Sequence, residues 1–154
     1  MGGIAKDYGS FMMKLMGSQE LKDLMLIPEE EQLNYIMIDK YFVESATSEL
    51  ITESPDCRLV VTSNPQVPTN NPYVKEDMLA IEVFVYNKPG ASKDRIMLGF
   101  QRRSNCIVDE IIKLFNNKSI NDRKLRLETR RELSSGSPGY CRMYVCFSYF
   151  KVYN

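Results

Sequence analysis

Apolar and polar positions alternate most clearly in residues 79–150. In Leu79–Tyr86 (LAIEVFVY), Leu79, Ile81, Val83 and Val85 share one side, and Ala80, Glu82, Phe84 and Tyr86 share the other. That is the period of a β-strand. Phe100–Phe115 (FQRRSNCIVDEIIKLF) changes to helical spacing. Phe100, Ser104, Ile107, Val108, Ile111, Leu114 and Phe115 line one side, and Asn116-Asn117 ends the run. In Leu125–Glu132 (LRLETRRE), Leu125 and Leu127 alternate with Arg126 and Glu128, the pattern of a half-exposed strand. In Gly139–Phe150 (GYCRMYVCFSYF), Met143, Val145, Phe147 and Tyr149 point one way, and Arg142, Tyr144 and Ser148 the other. The Gly/Pro turn Ser134–Gly139 (SSGSPG) joins these last two strands as an antiparallel hairpin with a wide loop.

Upstream, residues 10–26 (SFMMKLMGSQELKDLML) read as two short helical stretches around Gly17. Phe11, Met12, Leu15 and Met16 form an apolar stripe that Leu21, Leu24 and Met25 continue. Ser18 is placed to cap the second stretch, with Glu20 at its positive end. A Met-rich stripe fills a core, and it also suits an adaptable partner surface. Pro28 followed by Glu29, Glu30 and Glu31 marks a helix start that carries Leu33, Ile36 and Met37 inward. Tyr41, Phe42 and Val43 can already be extended, and Pro55 closes the region. Cys57–Thr62 (CRLVVT) is a short β-branched strand. Ser63–Asp77 holds three prolines and three asparagines and reads as an irregular loop of functional length. A second loop, Asn87–Ser92 (NKPGAS), follows the best strand.

These elements predict an α+β fold: a mostly antiparallel sheet of four or five strands packed by one main helix, with N-terminal helices. At 154 residues the chain is the size of one domain. It divides into an N-terminal helical segment over residues 10–40 and an α+β core over residues 55–152. A chain this long buries roughly 70% of its unfolded surface without disulfide or metal staples.

Charge and residue usage narrow the function. Lys+Arg and Asp+Glu balance at 20 each, whereas a dedicated nucleic-acid binder carries a basic excess. Zero net charge also removes the self-repulsion that keeps copies apart, which favours association. No apolar run approaches the length of about 18–20 residues that a membrane span requires. The start MGGIAKDYGS lacks the apolar stretch of a signal peptide, and Lys6 stands where a myristoylation start expects Ser or Thr. Cys57, Cys106, Cys141 and Cys146 form no CxxC pair and read as reduced, mostly buried residues.

Histidine is absent, which removes Ser-His-Asp and Cys-His nucleophilic sites and the commonest general base. There is no P-loop and no GxGxxG. A metal-dependent nuclease of the PD-(D/E)xK type would use Asp56 after Pro55, then Glu82 and a lysine two residues on, but that position is Phe84. A surface acid on an edge strand, or an Arg partner, explains Glu82 more simply. Arg102-Arg103 and Arg126 with Arg130-Arg131 form a potential basic stripe. Interleaved Glu128 and Glu132 make the second group a solvated strand face with cross-strand ion pairs. The expectation is a non-enzymatic domain with no cofactor and no metal. Tyr140, Tyr144, Tyr149 and Tyr153 crowd the C-terminus beside Phe147 and Phe150. Aromatics on both strand faces require cover on both. The second cover is either another subunit or the N-terminal helices.

The order of pieces carries a family resemblance. A strand LAIEVFVYNK is followed by DRIMLGFQRRSNCIVDEIIKLFNNKSI, then KLRLETRREL, a Gly/Pro turn and GYCRMYVCFSYF. From about residue 10 onward the chain resembles the tail-completion, or tail-terminator, proteins of long-tailed, siphovirus-type bacteriophages of Gram-positive hosts. The helix end IVDEIIKLFNNK and the later Gly-Tyr strand carry the likeness most strongly, with a helical N-terminus and a strand like CRLVVT beside them. The resemblance implies a ring, typically a hexamer, at the head-proximal end of the tail tube, which stops tube growth and meets the head-tail connector or stopper protein. The implied partners are the chain itself, the tail tube protein and the connector. The implied location is the virion tail or neck, with host cytoplasm during assembly. Membrane and sequence-specific nucleic acid are not implied. Other neck proteins, for head completion or stopping, and a monomeric phage-encoded regulatory domain that grips one protein, are the alternatives. The candidate interface comprises Asn64, Gln66, Asn70, Asn71, Tyr73, Lys88, Lys93 and Tyr144. All but Tyr144 lie on or beside the two Pro- and Asn-bearing loops around the best strand.

Overall fold

A computed structural model of the chain describes residues 3–44, 57–63, 77–88, 91–92, 102–134 and 140–151. Three helices come first: α1 (Gly3–Met16), α2 (Gln19–Leu24) and α3 (Asn34–Met37), with a 3-10 turn at Glu29–Glu31. The strands are β1 (Phe42–Glu44), β2 (Cys57–Ser63), β3 (Asp77–Lys88), β4 (Ala91–Ser92), β5 (Ser119–Ile120), β6 (Arg123–Leu133) and β7 (Tyr140–Lys151). The main helix α4 (Arg103–Phe115) lies between β4 and β5.

The fold is α+β, and its sheet is wider than the pattern predicts. Six strands run in the order β1-β2-β3-β7-β6-β5, and β4 pairs with β3 beside this path. Every pairing in the sheet is antiparallel except β1 with β2. Two of the additional strands, β4 and β5, have two residues each, too few for a period to show. Asn87–Ser92 is accordingly not a loop throughout: Asn87 pairs with Ser92 and Lys88 with Ala91. The β5–β6 hairpin turns on Asn121 and Asp122, both at positive φ. These residue types tolerate that conformation, and it matches the twist of the flanking strands.

Strand registry places the expected apolar rows on one face. Leu79, Ile81, Val83 and Val85 of β3 stand opposite Phe147, Val145, Met143 and Cys141 of β7, and all eight are buried. Against this face α4 lays Ile107, Val108, Ile111 and Phe115, each fully buried, with Leu114 packed at the margin. The helix ends where the chain predicts: Asn116 is the C-cap and Asn117 takes positive φ. Asn116 Oδ1 then accepts the Leu127 amide at 3.0 Å, tying the helix end to β6.

The N-terminal helices complete the same face. Buried Phe11 meets Phe115 and Tyr149 edge-on, with ring centroids 6.0 and 5.3 Å away. Met12, Met16, Met25 and Met37 are core filler, whereas Met13 is exposed. Ser18 does cap α2, its Oγ accepting the Leu21 amide at 3.2 Å. α1 begins at Gly3, earlier than the apolar stripe marks. The acidic run gives only the 3-10 turn before α3, and Leu33 turns outward while Met37 is buried. Phe42 and Val43 are extended and buried.

Residues on the opposite sheet face are buried too. Arg58, Val60, Ala80, Phe84, Cys146 and Ser148 are all buried within the single chain. A second subunit is therefore not required to cover them, and the N-terminal helices are not that cover, because they pack on the α4 side.

Two consequences are measurable. Ile111→Asp places a carboxylate in the helix–sheet core and is expected to destabilise the fold by about 3–5 kcal/mol. A soluble variant with unchanged thermal melting would contradict the packing. Where α2 meets α4, Glu110 lies near Ser18 and Glu20, and Lys113 stands 3.8 Å from Glu20. Burial, with a hydrogen bond to Glu20 adding to it, pushes the Glu110 carboxyl above the usual range. The folded state therefore favours protonated Glu110. This contribution is present below the ordinary carboxylate pKa and is lost as pH rises through the raised value. Glu110→Gln should raise the melting temperature at pH 7 and leave it unchanged in acid, read by calorimetry at several pH values.

Candidate interaction surfaces

β6 contains the irregularity that shapes its surface. Leu127 pairs with Phe147, but the next pair is Thr129 with Cys146, so Glu128 is an inserted residue, a β-bulge. Before the bulge, Leu125 and Leu127 face the helices. After it the phase reverses, and Arg130 and Glu132 come opposite core-facing Val145 and Met143. There they meet α4: Arg130 donates to Asp109 at 2.5 Å, and Arg102, the α4 N-cap, stands 3.4 Å from Glu132. At Arg130 and Glu132 the pairing runs from sheet to helix rather than across strands, whereas Arg123 of β6 pairs with Asp77 of β3. Arg126 pairs within its own strand, with Glu128 at 3.0 Å.

On the other face Glu82, Tyr144 and Arg131 lie in one row across β3, β7 and β6. Arg142 donates to Glu82 at 2.6 Å and to the Ser134 carbonyl at 3.1 Å. Its guanidinium lies 5.8 Å from the Phe84 ring centroid, and Arg131 lies 5.7 Å from that of Tyr144. Ser148 Oγ donates to Glu128 at 2.6 Å, which, with Arg126, holds that carboxyl below the usual range. Burial pushes the Tyr144 phenol up to about 12, and it pushes the Cys146 thiol up as well. These groups stay neutral at physiological pH and serve as hydrogen-bonding and packing groups.

Glu82 is thus held by an arginine, one of the two explanations its position allows. The other fails, because β3 is an interior strand. Its carboxylate is engaged in a pair with a cation rather than facing a second carboxylate. Asp56, the other acid of the nuclease comparison, lies outside the described residues. Among the described residues no group of three or more Cys, Asp and Glu side chains has the geometry to hold a metal. The four cysteines are free thiols.

Of the candidate interface residues, Tyr144 is half-buried in the row just described. Lys88 is the last residue of β3. Asn64, Gln66, Asn70, Asn71, Tyr73 and Lys93 lie outside the described residues, as do Phe100 and Tyr153.

Two surfaces escape the sequence pattern. The first is the far edge of β6. β5 pairs only with Arg123 and Lys124, and the α4–β5 connection bonds Leu125 and Leu127. Among the described residues no strand covers the edge from Thr129 to Leu133. The second lies around α3, where Met13, Leu33, Tyr35 and Ile38 are exposed apolar side chains. Asn34 Nδ2 reaches the Met13 sulfur at 3.9 Å, joining α1 to this patch. Glu29 and Glu30 lie exposed just before it. Ion-paired Glu31 and Lys40, with the Ile38–Phe42 bridge, place it beside β1. Tyr35 is the most exposed of these, at 77%.

Residues 12–151 match the sequence pattern of one protein family, YomW. The chain belongs to the YomW family. This is a family of gene products of SPbeta-like Bacillus phages and points to a phage-encoded protein of unspecified role. No curated protein matches the chain. Among the described residues no helix is long and apolar enough to cross a membrane.

One exposed residue of this YomW-family chain breaks a local rule. Leu26 follows α2 at φ 57°, with the Ile27 amide bonded to the Lys22 carbonyl in a helix-ending turn that favours glycine. Its side chain is exposed. Leu26→Gly is expected to stabilise the fold by up to about 1 kcal/mol, measured by denaturant unfolding.

Proposed function

We propose that the chain is a tail-terminator or tail-completion protein of a long-tailed phage. It forms a ring at the head-proximal end of the tail tube, stops tube growth and joins the tail to the head connector or stopper. Its chemistry is binding, not catalysis, and its partners are further copies of itself, the tube protein and the connector.

The observation that carries the reading is the pair of unlike surfaces at opposite edges of one sheet. A ring subunit needs two different patches that meet head to tail and close by rotation. The uncovered stretch of β6 lies at one side of the sheet, and the acidic, apolar patch lies beside β1 at the other. The phage family is consistent with this role. So is the zero net charge, which opposes no self-association.

The Pro- and Asn-rich stretch that the sequence reads as a loop, Ser63–Asp77, is proposed to contact neighbours or the tube through Asn64, Gln66, Asn70, Asn71 and Tyr73. Its prolines limit the entropy lost on docking. Deleting residues 66–71 in the phage should give overlong tails, or tails unattached to heads, in electron micrographs of particles. Normal virions, with the protein absent from purified tails, would overturn the proposal and favour a regulatory domain acting inside the host.

A further inference from the structure

We propose that neighbouring copies join by seating the uncovered edge of β6 on the acidic, apolar patch around α3. This rests on the ring reading and names its subunit contact.

Charge complementarity selects a second copy as the occupant. β6 carries five basic residues against two acidic ones. Several of these charges are spent internally: Arg123 on Asp77, Arg126 on Glu128 and Arg130 on Asp109. Arg131 has no carboxylate partner among the described residues and is exposed on the uncovered stretch. Its guanidinium lies 5.7 Å from the ring centroid of Tyr144 on β7, on the outer face of the sheet. Around α3 the excess is opposite: Glu29, Glu30, Glu31 and Asp39 stand against Lys40. Lys40 is taken by Glu31, whereas Glu29 and Glu30 are exposed without an ion-pair partner among the described residues. One surface thus has a spare cation where the other has spare anions. Burying them together satisfies both, and copies that meet like surface to like are repelled.

The apolar parts also match. Tyr35 presents a ring to which an arginine guanidinium binds face-on, and Leu33 and Ile38 flank it. Half-buried Leu133 ends the β6 edge. The two surfaces sit on opposite sides of the sheet, so one copy cannot satisfy itself. Repeating the contact generates a closed ring or a filament rather than an isologous dimer.

The test is a charge exchange in the full-length protein, with folding checked by circular dichroism. Assembly is read by mass photometry at high concentration and by electron microscopy of tails. Glu30→Arg alone and Arg131→Glu alone should each weaken self-association at least about tenfold, the expected scale for like charges forced together at an interface. Mixing these two variants creates one reversed but complementary contact and should restore hetero-assembly, as should combining both changes in one chain. If the wild-type protein assembles and folded single variants assemble equally well, the contact is wrong while the ring reading survives. If the wild-type protein neither self-associates nor appears in tails, the ring reading fails and the contact falls with it.

Discussion

Everything else in this fold depends on one helix being held against one sheet face. α4 supplies Ile107, Val108, Ile111 and Phe115, and β3 and β7 supply the rows that receive them. Phe115 lies 5.7 Å from Phe147 between ring centroids, and Phe11 closes the cluster against Phe115 and Tyr149. Apolar area removed from water is the dominant favourable term in folding, and aromatic edge contacts add to it. α1 and α2 are short and gain most of their stability from docking on this surface rather than from helix propensity.

The bulge at Glu128 is the second organising feature. A strand in strict alternation would turn Thr129 and Arg131 toward the helices. The inserted residue brings Arg130 and Glu132 there instead, against Asp109 and Arg102. It also releases Arg131 to the outer face, over Tyr144. A single backbone irregularity therefore converts part of a solvated strand into a polar clamp on α4. Among the described residues no strand pairs with the far edge of the stretch beyond it, Thr129–Leu133, which carries Arg130 and Arg131. An edge with arginines resists indiscriminate strand pairing, because its charges oppose a like edge. The same charges remain available to an acidic surface, so protection and selective recognition need not conflict.

Several charged groups on the outer face, though not Arg131, are held in structural pairs. Glu82 is engaged by Arg142, Glu128 by Ser148 and Arg126, and Tyr144 stays protonated. Partial burial makes such pairs sensitive to loss of either partner, and it orients the strands that carry them.

The α+β class, α4, the long strands β3 and β7 and the β6–β7 hairpin were all legible as periods, because each is long enough to repeat. The Ser18 cap and the Asn116-Asn117 stop were legible as local chemistry. The two-residue strands β4 and β5 were not, since their pairing is set by the chain they fold back on. The outward turn of Leu33 was hidden because the helix predicted there shrank to one turn. The partner of Glu82 lies sixty positions away in sequence, at Arg142. The phase change at Glu128 has no mark in the residue pattern, because a bulge is decided by the register of the neighbouring strand. Local periodicity thus determined which side chains of α4, β3 and β7 face the helix–sheet core. Only long-range pairing decided which charges meet and which are left at the surface, because electrostatic partners depend on distance in space and not on spacing along the chain.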